Sequence, residues 1–309
     1  MLYTVTLNPA VDRELTVPAI EFDSVLRATD CRVDFGGKGF NVSRVLKSLG
    51  VDSVALGFAG SKSGELLRDG LNSLGIDTDF TWIDGETRTN VSIVSTSQKR
   101  YVKANEPGPT ISANEQAALL DKIRGLAQEG DWWVLAGSLP PGVPDTIYAE
   151  IITCVQASGG RALLDSSGSA LMHGCQACPY LVKPNAYEAE KLTGLPVESV
   201  SQIVASAAAI QTLGPSCVVV SMGKDGALLY EEGHAWIARS PHIEERNPIG
   251  AGDSMVGGLV YGLQAGFDLA EALRWGVASG AATASLSGTA VGDRDLVEAL
   301  LARVQIEPA

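Results

Sequence analysis

The sequence is poor in histidine and cysteine, short of basic residues and free of long apolar runs. Three histidines and five cysteines in 309 residues leave His173–Cys178 (HGCQAC) as the only metal-like spacing, and no second Cys pair or His cluster follows it. The cysteines, Cys31, Cys154, Cys175, Cys178 and Cys217, are scattered and odd in number, which suits a reducing cytoplasmic compartment better than a disulfide framework. No apolar segment reaches membrane-spanning length, and MLYTVTLNPA lacks the basic segment and long apolar core of a signal peptide. Basic residues number 23 against 36 acidic ones, a formal charge of −13. That balance opposes broad binding to nucleic acid or to an anionic membrane, so an anionic substrate needs a local basic pocket.

What is present is a 45% hydrophobic chain, enough for a substantial core. Short β-rich runs at Leu2–Leu7, Ser53–Phe58, Trp132–Ala136, Ala162–Asp165, Leu181–Lys183 and Val218–Met222 alternate with helical patterns. This alternation predicts repeated strand–helix units and a mostly parallel sheet flanked by helices. The strands exit into NPAVD, AGSKSG, GSLPPG, SSG, PNAYE and GKDG. In a parallel sheet these exits share one edge and converge on a single cleft. Two regions, about 12–35 and 82–105, do not fit the alternation and read as a small β-sheet lid over that cleft, with Pro18 at an edge position. No low-complexity linker or fixed repeat divides the chain, so residues 1–309 read as one α/β domain. WGVASGAATASLSG reads as a closely packed helix.

The segment NPIGAGDSMVGGLVYGL, Asn247–Leu263, places Met255, Val256, Leu259, Val260 and Leu263 on one helix face. Gly250, Ala251, Gly252 and Asp253 then fall at the helix N-terminus, where free N–H groups and the macrodipole favour an anion. The plainer alternative is that Asp253 or Ser254 simply caps the helix. KPN (Lys183–Asn185) followed by Glu188 opens another helix, either as a phosphate-end site or as an ordinary acidic first turn. GGKG, Gly36–Gly39, lacks the spacing of a P-loop.

LNPAVD, GGKGFNVSRVLKSLG, GSLPPG, LVKPNAYE, VVVSMGKDGA and IGAGDSMVGG occur together and in that order. This set resembles the ribokinase-like (phosphofructokinase B) sugar kinases and, within them, the bacterial 1-phosphofructokinase branch. The resemblance spans nearly the whole chain. It implies a ribokinase-like fold with a Rossmann-like central sheet and a β-lid, ATP and Mg2+ as cofactors, and a homodimer through the lid. Potassium is a further ion that the sequence leaves open.

The implied reaction is ATP-dependent phosphorylation of fructose 1-phosphate to fructose 1,6-bisphosphate. Its alternatives are a tagatose-6-phosphate kinase or 6-phosphofructokinase of the same family and, from another class, a non-catalytic sugar-phosphate or nucleotide sensor. No G-x-G-x-x-G follows the first strand, against a dinucleotide-dependent oxidoreductase.

By resemblance, Asp253 is the base and the backbone of Gly250, Ala251 and Gly252 an anion hole. Lys183 meets phosphate charge, Asn185 and Glu188 organise magnesium through its waters, and Ser221, Gly223 and Gly226 belong to the nucleotide loop. Asp12, Gly37 and Asn41 bind the sugar, with Gly36 and Gly39 allowing close approach, while Arg27, Lys38 and Arg88 are candidates for its phosphate. Lys103 is either a fourth candidate or a solvated lid charge. Ser138 adds a hydroxyl, and Asp165 is either a carboxylate near the metal or a strand-end cap. Asn247-Pro248-Ile249 departs from the Ser or Thr with Val more usual before GAGD, and Pro248 removes an N–H donor there.

Overall fold

The computed structural model describes all 309 residues. Its strands are β1 (Leu2–Thr6), β2 (Ala10–Val17), β3 (Asp30–Gly36), β4 (Val54–Gly60), β5 (Asp77–Thr78), β6 (Thr81–Ile83), β7 (Arg88–Ser95), β8 (Arg100–Asn105), β9 (Trp132–Ala136), β10 (Arg161–Asp165), β11 (Leu181–Val182), β12 (Cys217–Ser221), β13 (Ala227–Glu231), β14 (His234–Arg239) and β15 (Gln305–Pro308). The helices are α1 (Lys38–Ser48), α2 (Ser61–Ser73), α3 (Ala113–Leu126), α4 (Ile147–Ala157), α5 (Gly168–Gln176), α6 (Ala186–Thr193), α7 (Val200–Gln211), α8 (Ala251–Gln264), α9 (Leu269–Ala284) and α10 (Arg294–Leu301). All six strands expected from the β-rich runs are present, shifted by at most two residues at an end.

The large sheet runs β15-β14-β13-β12-β11-β10-β9-β1-β4-β5, parallel from β12 through β5 and antiparallel from β12 out to β15. Alternation along each strand feeds two cores. In β1, Tyr3 and Val5 join α3, α4, α5, α6 and α7 on one face, whereas Leu2 joins α1, α8, α9 and α10 on the other. Phe40, Ala55, Leu67 and Leu71 pack α2 beside α1. Thr4, on that second face of β1, meets Ser43 of α1 through paired hydroxyls 2.8 Å apart, so the inward polar group is satisfied.

The path turns back at β1 and β9: chain order runs from β1 to β4 in one direction and from β9 to β12 in the other. A crevice opens at such a reversal, outside the carboxyl ends of the strands. Over it stands a separate sheet of order β3-β2-β7-β8. Two expectations change here. Thr81–Ile83 pairs with β4, so the second part of the small sheet begins at Arg88, not at residue 82. Pro18 is not on an edge, because β2 is paired on both sides; it follows the strand and ends it, its carbonyl accepting from Ser97 N–H at 3.1 Å.

The α8 and α9 pair confirms the reading of the alanine- and glycine-rich segment. Trp275 and Ala272 of α9 lie against Gly258 and Gly262 of α8, where any Cβ would collide with the partner helix. Close backbone approach thus fixes the axis of α8, and with it the position of its first turn.

Candidate active site

Gly250 precedes α8 with φ +83°, a left-handed conformation that glycine adopts without strain. Neither Asp253 nor Ser254 caps the helix: Ser254 Oγ pairs with Thr283 Oγ1 at 2.8 Å, and Asp253 Oδ2 accepts from Asn41 Nδ2 at 2.8 Å. Ala251 N–H donates to Pro248 O, but those of Gly250, Gly252 and Asp253 have no acceptor in the chain. Three open donors at the positive end of a fourteen-residue helix form an anion-accepting turn.

Asp253 is buried, and burial first, then the nearby Asp165 charge, pushes its carboxyl up to about 6. Lys38, the Asn41 hydrogen bond and Lys183 act in the opposite direction. Asp165 ends β10 with both oxygens engaged, Oδ1 3.2 Å from Lys38 Nζ and Oδ2 3.4 Å from Lys183 Nζ. It is therefore a hub for two lysines rather than a strand cap. Lys183 itself is buried, and its ammonium lies 3.9 Å from where a side chain on Gly252 would begin. Burial lowers the Lys38 ammonium pKa, but Asp165, Asp253 and Glu188 outweigh it and the net shift is upward. Lys38 is thus committed to the carboxylate side of the cleft, not to the lid cluster expected for it.

On the nucleotide side, Asn185 and Glu188 form a reciprocal capping box at α6: Glu188 N–H donates to Asn185 Oδ1 at 2.8 Å, and Asn185 N–H to Glu188 Oε2 at 2.9 Å. Glu188 Oε1 stays free. Asn185 is bridged to Ser221, which brings the KPN segment beside SMGKDG. SMGKDG is the turn of the β12–β13 hairpin, with Gly223 opening its short helical turn and Gly226 pressed on the Ala238 carbonyl. Asn185, Tyr187, Ser221, Met222 and Gly223 line a cleft of about 440 Å3.

No three His, Cys, Asp or Glu side chains gather into a metal cage. The open Glu188 Oε1 beside the Asn185 amide is instead the kind of sparse oxygen donor that magnesium, which keeps most of its waters, takes beside phosphate oxygens. Glu188 Oε1 and the Asn185 amide would hold it through water.

On the sugar side, β2 and β7 pair Asp12 with Asn90, whose Nδ2 donates to Asp12 Oδ1 at 2.8 Å. Asn90 is a buried contributor that was not expected, although strand alternation puts it on the same face as Arg88. Asp12, Asn41, Lys103 and Gly250 line one cavity of about 90 Å3.

Arg27, Gly37, Arg88 and Ser138, also expected on the sugar side, do not line this cavity. Arg27 is exposed in the loop between β2 and β3 and does not line the cavity. Arg88 donates from Nη1 to Glu106 O at 2.9 Å and from Nη2 to Asn8 O at 2.8 Å, and its buried Nε has no partner. It is not an open fork. Gly37 lacks a side chain because one would press on Thr6 and Phe40, and one on Gly36 would strike the Asp12 carboxylate, so the protein's own packing suffices to require these glycines. Ser138 stands exposed at the end of β9, with no side-chain hydrogen bond.

Open N–H donors beside a buried carboxylate suit transfer of a phosphoryl group to an alcohol, and the layered sheet with its separate small sheet is the architecture of the ribokinase-like kinases. The chain belongs to the pfkB family of carbohydrate kinases, matching it over residues 5–295. It is 38% identical over 306 residues to the 1-phosphofructokinase of Bacillus subtilis (strain 168), covering 99% of each chain. Phosphofructokinase-2 from Escherichia coli superposes with a TM-score of 0.93 in a complex with potassium and 0.90 in a complex with fructose-6-phosphate, in both cases at 30% identity over 97% of this chain and 98% of that one. Arabidopsis thaliana ribokinase, complexed with ribose and ATP, shares the fold with a TM-score of 0.77 at 21% identity over 97% and 98% of the two chains.

Proposed function

We propose that the chain transfers the γ-phosphoryl group of ATP to the 6-hydroxyl of fructose 1-phosphate, giving fructose 1,6-bisphosphate. The observation that carries this reading is the joining of Asp253 to three unpaired N–H groups in one helix turn, in a chain whose Bacillus subtilis relative is a 1-phosphofructokinase.

Asp12 and Asn41 orient the sugar so that its hydroxyl faces Asp253, which accepts the proton as the new P–O bond forms. The N–H groups of Gly250, Gly252 and Asp253 stabilise charge on the transferring group, and Lys183 supplies a cation beside them. Asn185 and Glu188 would hold magnesium through water, and the ion would supply charge neutralisation for the phosphate oxygens of ATP. Potassium is proposed as a further ion because the Escherichia coli neighbour is known in complex with it.

The small sheet acts as a lid within a single domain of residues 1–309, and exposed Val33, Tyr101 and Val102 on it support a homodimer through this sheet. Unpaired cysteines, two of them buried, suit a cytoplasmic enzyme. No helix is long and apolar enough to cross a membrane.

A second reading, phosphorylation of fructose 6-phosphate, is favoured by the neighbour solved with that sugar. The test is a comparison of kcat/KM for fructose 1-phosphate, fructose 6-phosphate and tagatose 6-phosphate. Fructose 1-phosphate is expected to lead, and either 6-phosphate leading would replace the proposal.

A further inference from the structure

The departure at Asn247-Pro248-Ile249 has a structural counterpart. Asn247 Oδ1 accepts from Ile249 N–H at 3.0 Å, closing a tight side-chain turn ahead of Gly250, while its Nδ2 donates to Gly288 O at 2.6 Å. The next residue, Thr289, donates its hydroxyl to Asp34 Oδ1 at 2.8 Å, and its carbonyl accepts from Arg44 Nη2 at 3.1 Å. Asp34 Oδ2 is held by Arg32 Nε at 2.8 Å. In the β2–β3 ladder Asp34 sits directly opposite Asp12. Two hydrogen bonds joined through the Gly288–Thr289 backbone therefore run from the strand pair that presents Asp12 to the turn that carries the anion-accepting N–H groups.

We propose that Thr289 and Asp34 are positioning residues that hold the Gly250–Asp253 turn in register with the sugar-side sheet. The residues before Gly250 belong to neither helix nor strand, and Ile249 is 52% exposed, so apolar packing does little to fix this turn. Hydrogen bonds then decide its geometry. Donors that stabilise a moving phosphoryl group act only when already aimed, and a displacement of about 1 Å costs on the order of a hundredfold in rate. Asp12, Asp34, Asn247, Gly250 and Thr289 line the same cavity, so the path runs along the wall of the space a sugar would fill. The link to turnover rests on the kinase reading above; the link to turn geometry does not.

Two measurements test it. On the ligand-free chain, hydrogen exchange reports the Ile249 and Ala251 amides, both hydrogen-bonded within the turn. Thr289→Val, nearly isosteric but without the hydroxyl, is expected to exchange several-fold faster there, and Thr289→Ser, which keeps the hydroxyl, to exchange like the parent. In turnover, Thr289→Val and Asp34→Ala each lower kcat about tenfold at unchanged KM for ATP, and the double variant is no slower than either single one, as required of one shared path. Parent-like exchange in Thr289→Val overturns the proposal. So does a parent-like kcat, or losses that multiply in the double variant. If the parent phosphorylates no sugar, the functional reading fails, while the exchange comparison still decides the relay.

Discussion

Asn41 Nδ2 donates to Asp253 Oδ2 across 2.8 Å, joining the first turns of α1 and α8, which lie 212 residues apart in the chain. The bond links a sugar-side residue to the carboxylate assigned as base. It also supplies one of the few groups that stabilise the ionised form of a buried acid.

Asp253→Asn is expected to leave ATP binding nearly intact and lower turnover by about a hundredfold to ten-thousandfold, the scale of a lost general base. The same substitution should stabilise the fold. Burial raises the Asp253 pKa from 3.8 to about 6, so the native state holds its proton more tightly than the unfolded chain, and stability falls as pH rises from the lower value to the higher. Above that window the ionised parent is destabilised by on the order of 3 kcal/mol, which Asn removes. Thermal melts should show the variant more stable at pH 7.5, with the gap closing toward pH 4; a gap independent of pH would contradict the buried, ionised carboxylate.

Since the base acts ionised, kcat/KM for the sugar phosphate should fall tenfold per pH unit below about 6. Asn41→Leu removes a hydrogen bond to the charged form, so the acid limb should move toward higher pH. A limb that stays in place would show that the pair is not coupled as the geometry requires.

Glu188→Gln is a selective probe because glutamine can also complete the capping box, leaving α6 intact. Loss of the charge should raise the magnesium concentration needed for half-maximal rate several-fold without changing Tm. An unchanged magnesium titration would remove Glu188 from the metal's surroundings.

Arg88→Ala leaves the Asn8 and Glu106 carbonyls without their donors, and a stability loss of roughly 1–2 kcal/mol should follow. If its remaining guanidinium face also serves the substrate's phosphate, the ratio of kcat/KM for fructose 1-phosphate to that for fructose falls about tenfold or more. A fall in Tm with the ratio preserved would make Arg88 a brace for two loops and nothing else.

Much of the molecule was legible in local pattern. Short β-rich runs located the parallel strands, and the apolar spacing from Met255 to Leu263 fixed α8, so Gly250–Asp253 had to fall at a helix N-terminus. Such periodicities are properties of a few consecutive residues, and any chain that buries one face expresses them. The partners were decided elsewhere. Asp165 meets Lys38 from 127 residues away, and Asn41 meets Asp253, because the strand order lays β10 and the first turns of α1 and α8 along one edge. The raised Asp253 pKa, the carbonyl-bound Arg88 and the exposed Arg27 likewise follow from burial and loop placement, which depend on what distant segments cover. The sequence named the residues able to do the chemistry; only the folded sheet determined which were free to do it and which were spent holding one another in place.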